Sequence, residues 1–189
     1  MATAFIFPGQ GSQSLGMGQA LAENYAEARA VFAAVDDAVG QNLSDLMWNG
    51  PEDKLTLTEN AQPALMAVSI AALRVLQARG LVLEKTAKFV AGHSLGEYSA
   101  LTAAGSLTLE TTAQLLKLRG QAMQRAVPVG VGAMAAILGL EIAAVDDIAK
   151  QATKSNDELC QVANDNASGQ VVVSGHVAAV ARAIDIAKE

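Results

Sequence analysis

The chain has 189 residues, enough for one domain with a sizeable core or a domain plus a small insert. Hydrophobic residues make up 51 % and charged residues 17 %, which excludes a disordered chain, and with aromatics at 4 % the core must be built from Ala, Val, Leu, Ile and Met. A net charge of −6 argues against nucleic acid as a main partner.

The first element predicted is a short buried strand, Thr3 to Phe7, followed by a loop, Pro8 to Gln13. A long amphipathic helix comes next. Leu21, Tyr25, Ala28, Phe32, Val35 and Val39 recur at alternating steps of four and three, and Gly40 fits its end. Gly50-Pro51 marks a turn. Pro63 suits the first turn of a helix that runs to about Arg79 and stops at Gly80. The apolar run within it, Pro63 to Leu73, is too short to cross a bilayer, and the N-terminus lacks the pattern of a secretory signal. A soluble, cytoplasmic protein is expected, with no membrane partner.

The run Lys88 to Ala91 predicts a strand, and helices are expected over Leu95–Ala104 and Leu109–Ala126. Alternating strands and helices argue for a mainly parallel sheet covered on both faces. The segment 127–132 breaks the pattern, and the rhythm then changes. Strands are predicted at Met134–Leu138, Leu159–Ala163 and Gln170–Ser174, the last two joined by a turn over 165–169. Helices are predicted at Ile142–Thr153, with Val145, Ile148, Ala149 and Ala152 on one side, and at Val177–Lys188, with Val180, Ala181 and Ile184 inward. The order β-α-β-β-α is a ferredoxin-like unit short of its last strand. The chain stops inside a helical pattern without a closing Gly, Asn or Pro, so a fragment of a longer protein is expected.

Gly92-His93-Ser94-Leu95-Gly96 carries the clearest chemistry. It has the form G-x-S-x-G between a strand and a helix, a tight turn that pushes a serine Oγ outward and requires glycine on either side. The helix that starts there directs free N–H groups and its dipole at the serine. Ser94 is therefore the candidate nucleophile for acyl transfer.

Arg119 shares a helix face with Thr112, Leu116 and Met123, and that face is otherwise apolar. An inward arginine must find an anion: an internal Asp or Glu, or a bound carboxylate that its planar fork would match. Gly9, Gly11, Gly16 and Gly18 surround Gln10 and Ser12 in the first loop. No Gly-Lys-Ser/Thr and no G-x-G-x-x-G occurs there, so nucleotide readings fail, but such a loop can offer a backbone N–H to a site. Neither histidine suits a base: His93 adjoins Ser94 on the turn, and His176 starts the last helix. No H-x-x-x-H or C-x-x-C is present, so neither a metal nor a cofactor is expected. The single cysteine, Cys160, lies in an apolar strand-like run and packs as a small hydrophobe.

Four segments in order carry a resemblance: Phe5 to Gln13, Gln62-Pro63-Ala64-Leu65, Gly92 to Leu101, and Arg119 to Met123. Gly132 to Ala136 and Asn164 to Val172 extend it. Together they resemble the malonyl-CoA:acyl-carrier-protein transacylase family of bacterial fatty-acid synthesis, similar to acyltransferase domains of polyketide synthases. The resemblance implies an α/β fold: an α/β-hydrolase-like large subdomain, residues 1–130, with an inserted ferredoxin-like small subdomain, residues 131–189, both incomplete. It implies that Ser94 takes the malonyl group from malonyl-CoA and passes it to the phosphopantetheine thiol of acyl carrier protein. Backbone N–H groups of Gln10 and Leu95 would form the oxyanion hole, and Arg119 would hold the malonyl carboxylate. Gln62 would line the pocket and Asn166 would lie near it.

The family's catalytic histidine has no counterpart in these residues, so this chain alone is expected to be inactive. Malonyl is favoured over methylmalonyl, and Lys85, Lys88, Lys117 and Arg125 are candidates for meeting an acidic carrier. The position of Met1, a few residues before the first strand, favours a free-standing enzyme over a synthase domain. The rival readings are a serine esterase or thioesterase, which has no need of Arg119, and a non-catalytic fragment.

Overall fold

The computed structural model describes residues 2–128 and 130–189; Met1 and Val129, the latter within the predicted break, lie outside the described residues. The fold is mixed α/β, and the chain forms two compact units, one up to Gln124 and one over Arg125–Glu189.

In the first unit, β1 (Ala4–Phe7) pairs in parallel with β2 (Phe89–Gly92), with Phe7 opposite Gly92. Pleating sends Phe7 into the core while Ile6 and Phe89 stay exposed on the other face. The core is organised by α5 (Thr58–Ala78), whose Ala64, Leu65, Met66, Ala67, Ile70 and Ala71 are all buried. It packs against α2 (Ala26–Val39) on one side and α7 (Gly96–Ala103) on the other, and α7 in turn covers β1 and β2. By length and composition α5 could cross a membrane, yet 61 % of that stretch is buried inside the protein. The helix is longer than the apolar run 63–73 because it begins before that run and extends past it.

The helix predicted across Leu21 to Val39 is two helices, α1 (Gln19–Asn24) and α2. Tyr25 between them is extended, at φ −133° and ψ 123°. The Nη1 of Arg29 donates to the carbonyls of Ala22 and Glu23 at 2.6 and 3.1 Å, satisfying acceptors that the end of α1 leaves open. The apolar spacing runs through this break, so periodicity alone could not reveal it.

Three short helices were not anticipated: α3 (Leu43–Asn49), α4 (Glu52–Thr56) and α6 (Leu83–Thr86). Each is too short to display a period. Pro63 lies in the second turn of α5 rather than the first, where its missing N–H leaves the carbonyl of Glu59 without an intrahelical donor. The helix α8 (Leu109–Ala126) has the predicted bounds and buries Thr112, Ala113, Leu116 and Gly120.

In the second unit, β3 (Gly132–Leu138), β4 (Cys160–Ala167) and β5 (Gln170–His176) form an antiparallel sheet of order β3-β5-β4. Thus β3 and β4 run parallel with β5 between them, and α9 (Ile142–Ala152) connects them. The predicted inner face of α9, Val145, Ile148, Ala149 and Ala152, is buried. The expected turn over 165–169 shrinks to Ser168 and Gly169, the latter at φ 74°. Two register shifts, between Val162 and Asn164 and between Asp165 and Ala167, absorb the polar residues into the strand. In α10 (Val177–Ile186) the inward residues are Ala179, Val180 and Ala183, whereas Ala181 is exposed.

Candidate functional site

The turn around Ser94 is held by backbone at every step. The N–H of His93 donates to the carbonyl of Phe7 at 3.1 Å, which ties the end of β2 to the end of β1. The N–H groups of Gly96 and Glu97 then donate to the carbonyls of His93 and Ser94, at 2.9 and 3.1 Å, and turn the chain into α7. Ser94 sits at φ 55°, the sole non-glycine residue with positive φ among the described residues. Such a conformation is costly for an L-residue and persists where its surroundings enforce it.

The glycines on either side are required by space. A Cβ on Gly92 would stand 1.9 Å from the backbone carbon of Gly96, and one on Gly96 would stand 2.3 Å from the carbonyl oxygen of Phe7. Removing both Cβ atoms lets β1, β2 and α7 meet at one point, with Ser94 exposed at the apex and Leu95 buried beneath it.

Arg119 reaches this apex from α8. Its Nη2 donates to the Oγ of Ser94 at 3.1 Å and its Nη1 to the Oε1 of Gln62 at 2.5 Å. Its Cζ lies 5.9 Å from the centre of the Tyr98 ring. The partners are therefore a hydroxyl, a neutral amide and an aromatic face. Among the described residues no Asp or Glu forms an ion pair with it, so the internal-carboxylate alternative fails. Gln62 is fully buried, and its Nε2 donates to the Oγ1 of Thr58 at 2.9 Å and approaches the sulfur of Met123 at 3.4 Å. Thr58 Oγ1 donates onward to the Oε1 of Gln10 at 2.9 Å.

In the first loop, the N–H of Gly11 is taken by the side chain of Gln13 at 2.8 Å, and Ser12 Oγ donates to the carbonyl of Gly9 at 2.9 Å. Among the described residues, the N–H groups of Gln10 and Leu95 donate to no carbonyl. Ser94, Leu95, Arg119, Gln62 and Gln10 are thus brought together in the first unit, while Asn166 lies on β4 of the second, in the stretch with shifted register.

The two histidines stand in different places. The Nδ1 of His93 lies 2.5 Å from where a Cβ on Gly9 would stand, so its ring rests against the loop backbone. The Nδ1 of His176 accepts the N–H of Leu159 at 3.2 Å. Of the four cations named as candidates for meeting an acidic carrier, Lys117 is held by partners within the first unit. Its Nζ bonds Gln41 Oε1 and Asn60 Oδ1 at 2.7 and 2.9 Å and faces Glu59 at 4.0 Å, with its side chain only 18 % exposed. Thr58 and Tyr98 were not singled out in the sequence. Thr58 becomes legible once α5 is seen to begin there, since it stands one helical turn before Gln62.

Residues 4–189 match the model of the acyl transferase domain family. The chain is 46 % identical over 186 residues to the malonyl CoA-acyl carrier protein transacylase of Bacillus subtilis, covering 98 % of this chain and 57 % of that protein. Among solved structures, the acyl-carrier-protein-S-malonyltransferase from Bartonella henselae is 56 % identical with a TM-score of 0.91, over 100 % of this chain and 59 % of that one. A complex of a type II PKS acyl-carrier protein with its malonyl-transacylase matches with a TM-score of 0.89 at 42 % identity, again over 100 % and 59 %. The chain therefore spans less than two thirds of the length of these relatives. With the strained serine between two obligatory glycines and a matching family model over nearly its whole length, the chain belongs to the acyl transferase domain family.

Proposed function

We propose that this chain is the part of a malonyl-CoA:acyl-carrier-protein transacylase that holds the nucleophile, the oxyanion donors and the acyl carboxylate. The observation that carries the reading is Arg119: a guanidinium beside the Ser94 hydroxyl with no carboxylate to neutralise it among the described residues. A malonyl group supplies that carboxylate. When it sits on Arg119, its thioester carbon falls within reach of Ser94.

In the first half-reaction Ser94 Oγ bonds to the thioester carbon and gives up its proton to a base. The oxygen of the tetrahedral intermediate accepts from the N–H groups of Gln10 and Leu95, helped by the start of α7. The carbon–sulfur bond then breaks, CoA leaves as thiolate and takes a proton, and malonyl-Ser94 remains. In the second half the phosphopantetheine thiol of acyl carrier protein attacks that ester and Ser94 regains its proton, a ping-pong cycle. Neither His93 nor His176 serves as the base in this scheme. The base comes from residues beyond these 189, and the chain by itself turns over little. The partial coverage of the relatives supports this.

We further read residues 1–130 as the α/β-hydrolase-like part and residues 131–189 as a ferredoxin-like part. The parallel β1–β2 pair leading into the serine turn supports the first, and the split β3-β5-β4 order supports the second. Asn166 belongs to the second part and is assigned to the neighbourhood of the acyl pocket on resemblance alone. A soluble, cytoplasmic enzyme of fatty-acid synthesis is the setting that fits these substrates.

The test is intact mass after incubation of the intact protein with malonyl-CoA. A gain of one malonyl group in the wild type and none in Ser94→Ala supports the reading. Acylation that persists in Ser94→Ala overturns it.

A further inference from the structure

We infer that Thr58 is a positioning residue that fixes the oxyanion loop to the carboxylate clamp. This rests on the proposed function, because it takes Gln10 N–H as an oxyanion donor and Arg119 as the malonyl anchor.

A threonine in the first turn of a helix commonly spends its hydroxyl on that helix's own N–H groups. Thr58, the first residue of α5 after its N-cap Leu57, instead donates its hydroxyl 48 residues back along the chain to Gln10. Its other contact is Gln62, one turn ahead on α5. The direction of the first two bonds in the series is set by chemistry. A guanidinium only donates, so Arg119 fixes the carbonyl end of Gln62 toward itself. The amide nitrogen of Gln62 must then donate to Thr58 Oγ1. A hydroxyl has one proton, and with Gln62 donating to it, that proton is free for Gln10 Oε1.

The four residues form a one-way chain of donors, Arg119 to Gln62 to Thr58 to Gln10, with a permanent charge at its head. Bonds in such a series polarise one another. The Gln10 side chain is thereby anchored at its end. Its backbone lies in a glycine-rich loop whose bonds beside Gln10, Gly11 to Gln13 and Ser12 to Gly9, are local, and the next tie to another element is Gly16 N–H to the carbonyl of Met47, six residues on. Thr58 is the loop's hydrogen-bonded link to α5, whose Gln62 in turn accepts from Arg119 of α8. Without it, the loop N–H loses its fixed distance from the reacting carbonyl.

The experiment measures single-turnover acylation of the intact protein by malonyl-CoA. The variants are Thr58→Val, Thr58→Ser, Gln10→Met and the double variant Thr58→Val/Gln10→Met. Thr58→Val keeps the shape and removes the hydroxyl. It is expected to slow the acylation rate constant roughly tenfold, less than the loss for deleting an oxyanion donor outright, with the concentration of malonyl-CoA at half-saturation changed less than threefold. Thr58→Ser retains the hydroxyl and is expected to stay within about threefold of wild type. Gln10→Met keeps the backbone N–H but removes the acceptor, and should reproduce the loss seen in Thr58→Val. The double variant should be no slower than either single variant, because both cut the same link.

Multiplicative losses in the double variant, or a Thr58→Val enzyme that acylates at the wild-type rate, overturn the inference. If Thr58→Val fails to fold, Gln10→Met alone decides it: a wild-type rate in that variant overturns the link. Failure of the underlying function looks different, because then the wild type gains no malonyl group or Ser94→Ala still does.

Discussion

The Nη2 of Arg119 lies 3.1 Å from the Oγ of Ser94, and the second nitrogen of the same guanidinium is held by an uncharged, fully buried glutamine. A half-buried cation so placed is stabilised by two neutral oxygens and an aromatic face, which is weaker than pairing with a carboxylate. An anionic acyl group would supply the missing counter-charge. Arg119→Ala is expected to lower kcat/KM for malonyl-CoA by about 10- to 100-fold, the equivalent of the roughly 1.5–3 kcal/mol of a charged hydrogen bond. The value for acetyl-CoA should change less than threefold. Arg119→Lys keeps the charge but not the fork, and should fall between. Comparison of the two substrates in the intact protein checks this. Unchanged malonyl preference in Arg119→Ala would favour a serine esterase instead.

The serine turn depends on two missing Cβ atoms. Gly92→Ala and Gly96→Ala each drive a methyl into backbone, at 1.9 and 2.3 Å, where no side-chain rotation can relieve the contact. Both are expected to cost about 4 kcal/mol or more, or to prevent folding. Gly105 provides the control, since a Cβ there meets nothing within 4 Å although φ is +75°. Gly105→Ala should cost only about 1–2 kcal/mol, the strain of the left-handed conformation. Urea denaturation followed by circular dichroism separates the two classes. Losses at Gly92 and Gly96 no larger than that at Gly105 would show that the close approach does not set the requirement.

Gly120 makes the same kind of demand one residue from Arg119. A Cβ there would stand 2.4 Å from the Cα of Glu59 and 2.7 Å from the carbonyl oxygen of Thr58. Its absence lets α8 lie directly on the first turn of α5, where Thr58 stands, one turn ahead of Gln62. Gly120→Ala should raise helix propensity slightly yet push α8 outward. The expected result is a loss of malonyl preference over acetyl of at least about fivefold, in the range set for displacement of a positioned group. A variant with unchanged selectivity would show that the Arg119–Gln62 geometry survives without that contact.

Much of this was legible from residue spacing. The strand–serine–helix order, the full length of α8 and the inner face of α9 follow from periods of 3.6 and from punctuation by glycine. What spacing could not reveal was the break at Tyr25, because the apolar series continues through it, or the start of α5 at Thr58, because Pro63 imitates a first-turn residue. The second error hid Thr58 from view. Lys117 was misread as a surface charge for a related reason: its partners, Gln41 and Asn60, are distant in sequence and carry no charge pattern. Arg119, by contrast, could be recognised as anomalous from its apolar helix face, although only the structure shows which neutral groups hold it.

Cys160 offers a test of the second unit that is independent of catalysis. Its side chain is 3 % exposed among Val145, Ala149, Val173 and Ala183 of that core. Burial pushes its thiol above the ordinary range, opposed by a backbone hydrogen bond from Gln161 and by the charge of Arg182. The thiol thus stays protonated when folded and ionises more readily when unfolded. Stabilisation from this shift is fully present below the unfolded thiol range, near pH 8.5, and is lost as pH rises through the higher folded value. Two outcomes are expected. Labelling by a maleimide at pH 7 should be slower than in denaturant by roughly a thousandfold, following the opening of the unit rather than thiol chemistry. Between pH 7 and pH 10, the urea midpoint of the wild type should fall further than that of Cys160→Ala, which has nothing to ionise. Fast labelling under native conditions, or identical pH dependence in the two proteins, would place the thiol at the surface.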